Sequence, residues 1–115
     1  MDVVADNTQD AARGGLRAII AGVSYAEIVK LFGPPNCTDT DLDKCDVEWV
    51  LRTPAGPATL YNWKPDWAPG VPVAVVTSWH IGGRKNEVVD HVVRALGPRV
   101  QVQRRVSAWR GGNRA

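Results

Sequence analysis

Between Val47 and Ile81 apolar residues recur at every second position in three runs, separated by segments too rich in proline and glycine to be regular. In the first run Val47, Trp49 and Leu51 alternate with Glu48, Val50 and Arg52. The second runs from Ala58 to Trp63, with Leu60 opposed to Tyr61 and Trp63. In the third, Val73, Val75, Thr77, Trp79 and Ile81 share one face, with Ala74, Val76, Ser78 and His80 on the other. A period of two is that of a β-strand. Thr53-Pro54-Ala55-Gly56 has hairpin-turn chemistry, so the first two runs pair antiparallel. Lys64 to Gly70 holds two prolines and a glycine and reads as a rigid loop before the third run. That third strand is largely apolar on both faces, which places it centrally, and it is expected to stop at Gly82-Gly83.

Helical spacing appears on both sides of these runs. Leu16, Ile19 and Ile20 define one face of a short helix closed by Gly22. Ser24 and Glu27 then form a capping box, with Val23 and Ile28 at the staple positions. Tyr25, Ile28, Val29 and Phe32 continue that helix until Gly33-Pro34-Pro35 ends it. A last helix is expected from Arg84 to Leu96, buried through Val88, Val89, Val92 and Leu96 and stopped by Gly97-Pro98. A weaker alternation at Val100, Val102 and Val106 allows one further edge strand. The expected fold is α+β: a three-stranded antiparallel meander with helices on one face, in the order α-α-β-β-β-α. At 115 residues the chain makes one domain. A flexible acidic arm is expected over 1–15, the domain over 16–98, and a basic strand or tail over 99–115.

Charge is divided along the chain. Residues 1–48 carry four basic and nine acidic groups, whereas residues 49–115 carry ten basic and three acidic. From Arg94 onward there are six arginines and no acid, a footprint for an anionic partner or a solvated tail. No apolar run is long enough to span a bilayer, and Met-Asp-Val-Val-Ala-Asp lacks the pattern of an export signal, so a cytoplasmic protein is expected. Cys37 and Cys45, eight residues apart, match neither a redox CxxC pair nor a zinc pattern; a disulfide between them is open to the sequence but not needed.

Several chemistries can be set aside. Asp39, Asp41 and Asp43 have the opening spacing of a calcium loop, but Lys44 and Val50 stand where that loop needs glycine and glutamate. Residues 16–33 resemble the start of a helix-turn-helix, yet the recognition helix would begin at Pro34-Pro35 and bring aspartates to phosphates, which argues against DNA. His80, His91, Ser78, Asp66 and Glu87 come without a nucleophile elbow, metal pair or P-loop, so no catalytic residue, metal or cofactor is assigned.

The most informative stretch is Ser78-Trp79-His80-Ile81-Gly82-Gly83-Arg84-Lys85-Asn86. Here a strand delivers a histidine, two glycines allow close backbone approach, and a helix opens with two cations. Arg84 and Lys85 oppose the helix dipole, and an anion held by the Gly83 to Asn86 amides would compensate them. The competing reading is a plain strand-to-helix turn whose cations meet the acidic loop at Asp39 to Asp46, and both stay open at this stage. Among the five tryptophans, Trp49 and Trp79 read as core, whereas Trp67 and Trp109 lie where burial is harder and could stack on a ring or a partner.

Leu31-Phe32-Gly33-Pro34, Glu48-Trp49, Leu60-Tyr61-Asn62-Trp63-Lys64 and Trp79-His80-Ile81-Gly82-Gly83, in that order, resemble a recurrent pattern in small proteins of bacterial tailed phages, over residues 23–96. The resemblance implies a phage or prophage origin, a bacterial host cytoplasm and no particular activity. The leading expectation is a non-enzymatic, homo-oligomeric protein that sequesters a nucleotide-type anion. Gly82, Gly83, Arg84 and Lys85 would hold phosphate, His80 would bond it or the sugar, Trp67 would stack on a base, and Lys64 or the C-terminal arginines would close the site. The alternative is a module that inhibits a host protein through Trp67, Trp109, Arg104, Arg105 and Arg110.

Overall fold

A computed structural model describes residues 2–9 and 14–106. Among these residues six strands form one sheet: β1 (Val4–Ala5), β2 (Gly15–Ala21), β3 (Glu48–Thr53), β4 (Gly56–Tyr61), β5 (Ser78–Gly83) and β6 (Gln101–Arg105). Two helices, α1 (Tyr25–Phe32) and α2 (Glu87–Leu96), interrupt them. Every neighbouring pair is antiparallel and the spatial order is β1-β3-β4-β5-β2-β6.

The expected three-stranded meander in the order α-α-β-β-β-α is therefore overturned. Along the chain the order is β-β-α-β-β-β-α-β, and the segment expected as the first helix is strand β2. Ala18 and Ile20 face the core, while Leu16 and Ile19 pair with Gly82 and His80. A bulge between Leu16 and Ala18 inserts Arg17, and that extra residue makes Leu16, Ile19 and Ile20 imitate helical spacing. Pairing with β5 on one side and β6 on the other then outweighs local preference. Residues 4 and 5, within the segment read as an arm, pair with β3, and Val3 is buried beside them.

The third alternating run is strand only from Ser78 onward, and Gly82 and Gly83 belong to it. Val73–Val75 forms a 3-10 turn behind Pro72, and Val75 is exposed. A second 3-10 turn, Lys64–Asp66, begins the proline-rich loop.

Local chemistry accounts for the remaining elements. In the β3–β4 hairpin the Thr53 hydroxyl donates to the Gly56 carbonyl (2.7 Å) and accepts from the Ala55 amide (3.1 Å). Gly56 takes φ +115°, open to glycine at little cost. In α1 the Ser24 hydroxyl accepts from the Glu27 amide (3.1 Å), and the Glu27 carboxylate accepts from the Ser24 amide (2.9 Å). Gly33, at φ +83°, closes that helix.

One face of the sheet is apolar. Ala18, Ile20, Trp49, Leu51, Ala58, Leu60, Trp79 and Ile81 pack with Ile28 and Phe32 of α1 and Val88, Val89 and Val92 of α2 in one core. The Trp49 and Trp79 rings meet edge to face at 5.8 Å. No helix among the described residues is long and apolar enough to cross a membrane.

Candidate functional site

The opposite face of the sheet carries the polar residues of the same strands. Across it run two rows set by register: Val50, Thr59, Gly82 and Leu16 in one, Glu48, Tyr61, His80 and Ile19 in the next. The acidic loop 36–46 stands over these rows as a wall. Asn36 fixes its start by exchanging two hydrogen bonds with the Val50 backbone, at 2.7 and 3.0 Å. Asn62, 1% exposed, fixes its end: its side-chain carbonyl accepts from the Asp46 and Val47 amides, and its amide donates to the Asp46 carboxylate. Lys64 ties the middle, its amide donating to the Lys44 carbonyl and its ammonium to the Leu42 carbonyl.

Between wall and sheet lies a groove of about 570 Å³, within the range of small-ligand sites. Glu48, Tyr61, Trp63, Cys37, Asp39 and Asp41 surround one end; Thr59, Gly82, Leu16, Gly15 and Gly14 line the other. Tyr61 and Trp63 meet at 6.3 Å and 70°. Behind them His80 stacks on Trp63 at 5.7 Å and 22°, and its Nε2 lies 2.8 Å from the Asp66 carboxylate. The Lys44 ammonium is 5.9 Å from the centre of the Trp63 ring, within cation–π range.

The aromatic end resists further negative charge. Burial raises the Glu48 carboxyl above its ordinary value, and Asp39 adds to this, while the Cys37 and Thr40 side chains favour its charged form. The Cys45 thiol is pushed up to about 11 by burial, then by Glu48, Asp41 and Asp46. Burial likewise raises Cys37, and it pushes the Tyr61 phenol up to about 12 with help from Cys45 and Glu48. Glu48, Asp39 and Asp41 form no ion pair among the described residues. Both cysteines are free thiols, and no group of three or more His, Cys, Asp or Glu among the described residues could hold a metal.

The residues expected to bind ligand do not assemble in one place. Gly82 is in the floor of the groove, whereas His80 is 6% exposed and supports Trp63 from behind. Gly83 packs against Val88, and its carbonyl accepts from the Arg17 guanidinium at 2.7 Å, which also reaches the Asn86 side chain. Arg84 and Lys85 are exposed at the turn into α2, one and two residues beyond the end of β5. Lys64 and Trp67 line a separate pocket of about 520 Å³ with Val71, Pro72 and Val76. Trp67 packs partly against the core rather than standing free, and its buried indole N–H has no partner among the described residues. Arg104 and Arg105 are exposed on β6, Arg105 pairing with Asp90 at 3.1 Å. Trp109 and Arg110 lie outside the described residues.

Reading from sequence passed over Glu48, Tyr61, Trp63, Cys37 and Cys45 as site residues. Glu48 and Tyr61 were legible as the outward positions of alternating strands, but nothing local shows that a loop returns over them. Compared with protein-family models, curated proteins and solved structures, the chain gives no match.

Proposed function

We propose that this chain is a non-enzymatic binding protein that holds a small nucleotide-type ligand in the groove over the polar face of its sheet. The observation that carries the reading is the half-buried Glu48 carboxylate beside Tyr61 and Trp63, on the wall of a groove of about 570 Å³. Flat rings stack on aromatic side chains, and carboxylates accept hydrogen bonds from ring N–H groups. The base then occupies the aromatic end. Its phosphate points away from the carboxylates, along β5 toward Gly82 and the cations Arg84 and Lys85. Charge sets this direction, since a phosphate beside Asp39, Asp41 and Glu48 would meet like charge.

The phage-type pattern noted above suits a protein that sequesters a nucleotide signal of a bacterial host. Thermal unfolding against a panel of nucleosides and their phosphates tests the reading. A ligand at about a hundred times its dissociation constant adds roughly 2.7 kcal/mol of stability. Arg84→Ala combined with Lys85→Ala should weaken nucleotides and leave nucleosides unaffected. An unshifted melting temperature with every compound would reject the groove as a nucleotide site.

One observation favours a second reading, a protein-interaction surface: all five residues of edge strand β6 are exposed, Arg104 and Arg105 among them. Such an edge can accept a further strand from a partner. Charge reversal at Arg104 and Arg105 that leaves partner capture intact would exclude it.

A further inference from the structure

We infer that the groove selects ligands whose planar edge bears two adjacent N–H donors, the pattern shared by guanine and by a guanidinium group, and that the Glu48 carboxylate is the selecting group. This rests on the binding reading above and names the chemistry of that same site.

Glu48 opens β3 directly across from Tyr61, so its carboxylate leaves the sheet on the groove side next to a flat aromatic surface. An ionised carboxylate has about four acceptor positions on two oxygens. The Cys37 thiol and the Thr40 hydroxyl favour its charge, each with a single hydrogen to give, which leaves acceptor positions for a ligand. The groups facing it from the surrounding elements are Asp39 and Asp41, the Cys37 and Cys45 thiols and the Tyr61 phenol, with Lys44 as the groove's one cation among the described residues. Lys44 is placed over the Trp63 ring. A half-buried anion with no cationic partner among the described residues favours donors, and two oxygens in one plane favour a pair of donors side by side.

The match separates otherwise similar bases. The pairing edge of guanine offers a ring N–H and an adjacent exocyclic N–H, one for each oxygen. Hypoxanthine keeps the ring N–H and lacks the amine. Adenine puts a ring-nitrogen lone pair where the second donor is needed, against a carboxylate oxygen. Losing one charge-assisted hydrogen bond at such a site costs roughly tenfold in affinity or more.

The test is titration calorimetry with guanosine, inosine and adenosine monophosphates on one side and agmatine, a guanidinium without a base, on the other. For the wild type we expect guanosine monophosphate to bind at least about tenfold tighter than inosine monophosphate, and Glu48→Gln to abolish the difference. Affinity should also fall as pH drops and Glu48 takes up a proton. Agmatine binding that requires Glu48, without nucleotide binding, would support the donor pair and overturn the nucleotide reading. Equal affinity for guanosine and inosine monophosphates, or a preference that survives Glu48→Gln, would overturn the inference while leaving the groove a nucleotide site. No binding by any of the four would overturn both. The guanosine to inosine comparison uses the unaltered protein, so it stands even if the variant misfolds.

Discussion

Trp49 and Trp79 hold opposite ends of α1: the Trp79 indole donates to the Val23 carbonyl just before the helix (2.8 Å), and the Trp49 indole donates to the Gly33 carbonyl just after it (2.9 Å). Both rings are fully buried. Replacing either with phenylalanine removes that donor, from a buried carbonyl at Val23 and a partly buried one at Gly33, and leaves a void where the larger ring was. Each change should cost about 2–4 kcal/mol, more than the roughly 1 kcal/mol expected for Ser24→Ala at the helix cap. Urea denaturation measures the three side by side. A tryptophan variant no worse than the cap variant would show that α1 is held by its own cap instead.

Gly82 faces Thr59 across β4 and β5, and a Cβ at residue 82 would stand 2.6 Å from the Thr59 hydroxyl oxygen. Gly82→Ala should therefore cost about 1–3 kcal/mol through overpacking and narrow the groove floor. Thr59→Ala removes the obstructing oxygen, so the double variant should recover most of the loss. A coupling energy near zero in that cycle would place the glycine's importance elsewhere.

Glu48 links binding to stability with a definite sign. Its ordinary value is 4.5, and burial raises it in the folded state. The folded protein therefore holds that proton more tightly than the unfolded chain does. This contribution is fully present below the unfolded value and is lost as pH rises through the folded one. At pH 7 the ionised carboxylate is a burden, so Glu48→Gln should melt at a higher temperature than the wild type, and the gap should close toward pH 4. Melting curves across that range check it; a variant less stable at pH 7 would mean that the carboxylate holds the loop wall in place.

What the sequence disclosed depended on how local the signals were. The α1 cap, the β3–β4 hairpin and the apolar stripe of α2 rest on neighbours within a few residues, and each is where its residues imply. Strand β2 was hidden because one inserted residue, Arg17, shifts its alternation toward a helical spacing, and because its partners lie about 60 residues or more beyond it. The site followed the same rule. Gly82 was visible as a glycine at a strand end, while Glu48 and Tyr61 acquire a role only when Asn36 and Asn62 fold the acidic loop back over them. Arg84 and Lys85, expected to open α2, lie before it instead: the helix starts at Glu87 with Glu87 and Asp90 in its first turn, and the nearby Gly83 carbonyl accepts from Arg17, a partner no local reading could supply.

The two thiols report on the same electrostatics without any ligand. Cys45 is 6% exposed and its thiol is pushed up to about 11, with Glu48, Asp41 and Asp46 opposing its ionisation after burial and only Lys64 favouring it. Thiolate is the reactive form, so at pH 8 Cys45 should react with iodoacetamide about a hundredfold more slowly than a free cysteine of ordinary pKa, the order set by that shift. Cys37, half exposed and also raised by burial, should react faster than Cys45 but more slowly than the unfolded chain. Glu48→Gln removes the leading charge that opposes the Cys45 thiolate, and it should speed alkylation there even as it stabilises the fold. Mass spectrometry of the labelled protein separates the two sites. A Cys45 that reacts like a free thiol, or is indifferent to Glu48→Gln, would mean that the groove's aromatic end is wetter and less negative than its residues imply, and would remove the charge argument for a donor-bearing ligand.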